Sequence, residues 1–219
     1  MLPDGTSILH PPSLHGFPVG NGRRYVVGGW DECFPTIEPH GISPVMGDLI
    51  SLSPALRELP DRVEQTWNTP RYRAVRTFRA PRDRELELTF CVTNHGPSPL
   101  EFLWASHALF AVASLRQVAL PDGTVLNEFG LTGTCRKFFI PATGPVILDG
   151  VRLTTDQPFW GIWLNRGGWP ADKPADFACL GVEATTTAAE VPDGRVLLSG
   201  EEFCGHVTLQ TGGPRHAKI

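Results

Sequence analysis

The chain lacks the features that would direct it to nucleic acid, to a lipid bilayer or to a structural metal. Its 219 residues hold 19 Lys and Arg against 23 Asp and Glu, a net charge of −4. No basic surplus is present to neutralise a phosphate backbone or an anionic membrane surface. No apolar run approaches the length of a membrane span, and Met1-Leu2-Pro3-Asp4-Gly5 has none of the features of a signal peptide. The five cysteines, Cys33, Cys91, Cys135, Cys179 and Cys204, are odd in number, widely spaced and free of any CxxC pair. They are expected to be free buried thiols in a reducing, cytoplasmic setting. There is no GxSxG elbow, no Gly-rich phosphate loop leading into a helix and no HExxH pair. A sustained 3.6-residue stripe is missing as well; at most Ala108 to Val118 could form a turn or two of helix.

What the chain does have is period two. In Glu85-Leu86-Glu87-Leu88-Thr89-Phe90-Cys91-Val92 the apolar side chains share one face, with Glu85 and Glu87 on the other. Leu100 to His107 reads as the next strand, and similar units recur near 71–79, 134–140, 157–165, 176–184, 193–199 and 203–210. Pro121-Asp122-Gly123 and Pro192-Asp193-Gly194 mark turns: Pro fixes φ, Asp caps and Gly accepts positive φ. Many short strands without βαβ alternation predict an all-β fold, a sandwich. Residues 1–22 are rich in Pro and Gly and read as an irregular arm ahead of a single domain over 23–219.

Two apolar strands each end on one titratable group. Phe102-Leu103-Trp104-Ala105-Ser106 leads to His107, and Phe177-Ala178-Cys179-Leu180-Gly181-Val182 leads to Glu183. A carboxylate buried there costs several kcal/mol unless it is paired or shifted toward neutrality, and such a shift suits a general base. The plainer alternatives are a core His satisfied by a backbone carbonyl and a Glu at a strand edge. The second cluster is aromatic: Trp30 in Gly28-Gly29-Trp30-Asp31, and Trp160, Trp163 and Trp169 within Phe159 to Pro170. Alternation puts Trp160 and Ile162 on one face and Trp163 on the other, so some rings must leave the core or line a cavity. An aromatic floor beside Asp31, Asn165 and Arg166 suits a sugar, whose C–H face packs on rings while its hydroxyls need polar partners. About half of these aromatics should be ordinary core.

The ordered set Gly28 to Ile37, Phe102 to Phe110, Gly161 to Pro170 and Leu180 to Thr186 resembles the galactose mutarotase (aldose 1-epimerase) superfamily, in its divergent aldose-epimerase-like branch. The resemblance implies a large twisted β-sandwich (the galactose mutarotase-like supersandwich), here short at its N-terminus, with a concave face that binds a monosaccharide. It implies a mutarotase mechanism without cofactor or metal. Glu183 would take the proton of the anomeric hydroxyl, and protonated His107 would donate to the ring oxygen across the bound sugar. Trp30, Asp31, Trp104, Trp163, Asn165 and Arg166 are the expected sugar contacts. A carbohydrate-binding or sensing module without turnover is the alternative. Relatives carry a second histidine in a His-Gly pair, where this chain has Met46-Gly47, with His40-Gly41 nearby. They also carry Arg ahead of the Gly-Gly motif in the sugar-phosphate branch, where this chain has Val27, so an unphosphorylated aldose is expected. Missing leading strands would leave an open sheet edge, through which self-association into a homo-oligomer is expected.

Overall fold

The computed structural model describes residues 7–12, 16–18, 24–26, 28–169 and 178–212. Its strands run β1 (Gly16–Pro18), β2 (Arg24–Val26), β3 (Trp30–Cys33), β4 (Ala55–Leu59), β5 (Arg62–Asn68) and β6 (Tyr72–Arg79). They continue as β7 (Glu85–Asn94), β8 (Leu100–Glu101), β9 (Ala105–Ala111), β10 (Val118–Ala119), β11 (Val125–Leu126) and β12 (Thr134–Pro141). The last are β13 (Val146–Leu148), β14 (Val151–Thr155), β15 (Phe159–Arg166), β16 (Ala178–Thr185), β17 (Val196–Leu197) and β18 (Glu202–Thr211). Among the described residues no α-helix occurs, only two short 3-10 turns, and no helix is long and apolar enough to cross a membrane. The span expected to hold a helical turn instead continues β9 to Ala111 and closes in a 3-10 turn at Val112–Ser114.

Two antiparallel sheets form a sandwich. One has nine strands in the order β11-β10-β13-β14-β18-β7-β6-β5-β4, the other five in the order β12-β15-β16-β9-β3. Alternation decides which side chains meet between them. From the five-stranded sheet come Phe138 and Ile140, Trp160, Ile162 and Leu164, Leu180, Val182 and Ala184, Ala108 and Phe110, and Trp30. From the larger sheet come Leu88, Phe90, Val92, Ala74, Val207 and Leu209. Trp104 stacks on Phe90 at 5.6 Å and 2°. Gly205 on β18 makes that possible, because a Cβ there would lie 2.1 Å from the Trp104 ring.

Residues 8–10, within the segment read as an irregular arm, hydrogen-bond along the end of β9: His10 N–H donates to Leu109 O and Ala111 N–H to Ile8 O. The reading of five free thiols is corrected. Cys91 and Cys204 face each other across β7 and β18 and form a disulfide, which leaves Cys33 and Cys179 buried and Cys135 exposed as thiols. Two strands far apart in sequence had to be paired before these cysteines could be matched.

Candidate functional site

The residues of the five-stranded sheet that do not face the core point out on its other side, and the site is built there. Glu183 of β16 is the direct cross-strand partner of His107 on β9, and His107 is the partner of Asp31 on β3. Directly opposed residues project to the same face, so the imidazole lies between two carboxyl groups. On the other flank Glu183 faces Gly161 of β15, where an added Cβ would come within 3.2 Å of Glu183 Oε2. The missing side chain leaves room for Lys137 to reach in from β12. Its Nζ stands 3.0 Å from Glu183 Oε2 and 2.9 Å from Glu190 Oε1. His107 Nε2 stands 3.5 Å from Glu183 Oε1. Gly181 plays the same part for Trp163, with which it pairs across β15 and β16.

Glu183 has no exposed surface and His107 is 5 % exposed. Among the described residues, the Glu183 carboxylate meets only the Lys137 ammonium and the His107 imidazole, and His107 Nδ1 has no hydrogen-bond partner. Burial lowers the proton affinity of His107, and Lys137 lowers it further, against the opposite pull of Glu183 and Asp31. Burial also pulls Lys137 down, but Glu183 and Glu190 overcome it and hold the ammonium above its usual range. Asp31 is raised by burial, while His107, Arg76 and a hydrogen bond from Tyr25 work the other way.

A cavity of about 240 Å³ opens over this group, lined by Tyr25, Ile37, Glu38, Val45, Met46, His107, Lys137, Trp163, Trp169 and Glu190. Trp163 and Trp169 meet edge to face at 5.6 Å, and Trp163 lies 6.0 Å from the His107 ring. One wall is thus aromatic, and titratable groups form much of the rest. Glu183 lies behind His107 and Lys137 and is not itself in the lining.

The structure sorts the residues singled out in the sequence. His107, Glu183 and Asp31 come together, and Trp163 borders their cavity. Trp30 and Trp104 do not: both point into the sandwich core, where Trp104 donates to Glu32 Oε2 and Trp30 to Ser106 Oγ. Asn165 is fully buried and brackets Trp169, accepting from its N–H and donating to its carbonyl, so it sets the position of that ring. Arg166 faces a separate hollow of about 450 Å³ and donates to Gly130 O. Met46 lines the cavity, whereas His40 lies outside it, 3.6 Å from Glu101. Val27 lies outside the described residues. Two expectations need correction. His107 and Glu183 are neighbours in contact and not groups separated by a sugar ring, and burial disfavours the protonated form of His107. Lys137, Glu190 and Tyr25 were not anticipated. Alternation in Lys137-Phe138-Phe139 does set Lys137 on the face away from the core, but its reach across β15 depends on pairing that the sequence does not display.

No family model and no curated protein matches the chain. Solved structures do. A provisionally assigned aldose 1-epimerase of Escherichia coli K12 superposes with a TM-score of 0.61 at 14% identity, covering 83% of each chain. A galactose mutarotase related enzyme from Lactobacillus acidophilus gives 0.59 at 12% identity, over 88% of this chain and 84% of the other. An aldose epimerase homologue from C. elegans gives 0.53 at 13% identity, over 94% and 82%. The fold is that of the galactose mutarotase-like β-sandwich.

Proposed function

We propose that the protein is a cofactor-independent aldose 1-epimerase-like isomerase that interconverts the anomers of an unphosphorylated aldose. The observation that carries this reading is the contact of His107 with Glu183 beside an aromatic-walled cavity. The anomeric hydroxyl oxygen and the ring oxygen of a pyranose are bonded to the same carbon. An acid and a base serving those two atoms must therefore stand side by side, as cross-strand partners do. With Lys137 drawn toward Glu190 to uncover it, the Glu183 carboxylate takes the hydroxyl proton, the bond from C1 to the ring oxygen breaks, and that oxygen receives a proton from His107 imidazolium. The open aldehyde rotates about C1–C2, and the same steps in reverse close the ring on its other face. One proton is held by the pair throughout, on His107 before ring opening and on Glu183 after it.

Charge supports a neutral saccharide. Among the described residues, Glu38 and Glu190 line the cavity and Lys137 is already engaged by two carboxylates, which disfavours a phosphate or uronate. Trp163 and Trp169 offer rings to the C–H face of a sugar.

Two observations favour a second reading, a carbohydrate-binding module without turnover: Glu183 has no exposed surface, and Met46 lines the cavity where the resemblance implied a histidine. The two readings separate in one experiment. Glu183→Gln is expected to retain saccharide binding by calorimetry and to lose anomer interconversion by at least about 100-fold in polarimetry. Saturable binding with no interconversion by the wild type would establish the second reading instead.

A further inference from the structure

We propose that Lys137 is a positioning residue of this site, whose ammonium compensates the Glu183 carboxylate and fixes its place beside His107 while that group is shut off from water. The inference rests on the isomerase reading for its kinetic consequences, but its physical basis is independent of it. A carboxylate in a protein interior is tolerated when a cation or hydrogen-bond donors compensate it. Glu183 has no exposed surface, and among the described residues its two oxygens meet only an ammonium and an imidazole. Among the described residues, the groups around it are His107 from β9, Lys137 from β12 and the thiol of Cys33 from β3, with Asp31 behind His107 and Glu190 behind Lys137. Of these, Lys137 alone is a fixed cation, and it is the nearest at 3.0 Å. An ammonium held between two carboxylates is a poor nucleophile, so Lys137 is not a Schiff-base lysine. Its second partner, Glu190, borders the cavity, so the ammonium can lean toward Glu190 when a ligand hydroxyl approaches Glu183.

Lys137 works against the protonated form of His107, so removing the cation relieves the imidazolium and extends activity to higher pH. Lys137→Met is expected to move the basic limb of the pH–rate profile upward, and Lys137→Arg to restore it. A lysine that merely packs would lower the rate without moving the profile. Carbon-13 NMR of the Glu183 carboxyl reads the same effect without turnover. Its chemical shift near neutral pH should differ between Lys137→Met and the wild type, because the ammonium at 3.0 Å is gone. An unmoved signal overturns the proposal even if the enzyme is active. A moved signal with no anomer interconversion in the wild type sustains the proposal and overturns the isomerase reading. If Lys137→Met does not fold, the wild type decides: the Lys137 side-chain nitrogen must respond at the pH where the Glu183 carbon does, and unrelated steps overturn the proposal.

Discussion

At the scale of single residues, the cluster is governed by the absence of water. Glu183 is compensated by Lys137 at 3.0 Å and by His107 at 3.5 Å, and its own strand offers it nothing. Burial pushes His107 toward the neutral form, yet the acid of the proposed reaction is the imidazolium. The sign follows directly: the acid is lost at lower pH than for a free histidine. Polarimetric rates should therefore fall on the basic side with a midpoint below 6.5, the ordinary histidine value. A midpoint near 8 would assign the acid to another group. Trp163 and Trp104 offer a contrast between two rings of one type. Trp163→Ala should weaken saccharide binding about tenfold or more with little change in melting, because its ring borders the cavity. Trp104→Ala should cost about 3–5 kcal/mol in urea unfolding, because its ring is wholly buried. His107 and Glu183 were legible because each ends an apolar run. Lys137 was not, because its partner lies two strands away.

At the scale of strands, parity settles what composition leaves open. Trp104 and His107 are three residues apart, and Trp30 and Asp31 are adjacent, so neither pair can share a face in an extended chain. The same count separates Asn165 from Arg166. The sequence therefore held the means to discard Trp104 as a companion of His107, and to separate Trp30 from Asp31 and Arg166 from Asn165, even though it could not say which face was the core. The strands near 71–79, 134–140, 157–165 and 203–210 were legible from alternation and lie close to β6, β12, β15 and β18. The 100–107 strand was less so, since Phe102–Trp104 joins β8 to β9 without belonging to either. Packing between the sheets has its own test in Gly205. Gly205→Ala places a methyl against the Trp104 ring and should destabilise by about 1–3 kcal/mol in urea unfolding, with saccharide binding retained in the folded fraction. No loss of stability would mean that the stack of Trp104 on Phe90 is looser than described.

At the scale of the whole molecule, a second buried polar group ties the sheets together. Glu32 accepts from Trp104 Nε1 and Ser106 Oγ and lies 3.4 Å from the guanidinium of Arg76. Burial raises its proton affinity to about 7 from 4.5, against the pull of Arg76. The folded state therefore holds a proton that the unfolded chain releases. Stability from this group is present below 4.5 and is lost as pH rises toward about 7, on the order of 3 kcal/mol. Glu32→Gln should flatten that part of the stability–pH curve, measured by urea unfolding between pH 4 and 8. The sandwich class was legible from turns and alternation. The nine- and five-strand order and the Cys91–Cys204 bridge were not, because both depend on pairings between distant segments. The site itself is one such pairing, Glu183 on His107. Two-dimensional exchange NMR on a panel of free aldoses tests it most directly. The account predicts α–β exchange far above the spontaneous rate for at least one sugar with the wild type, and exchange at the spontaneous rate with Glu183→Gln. Equal exchange with both proteins would contradict it.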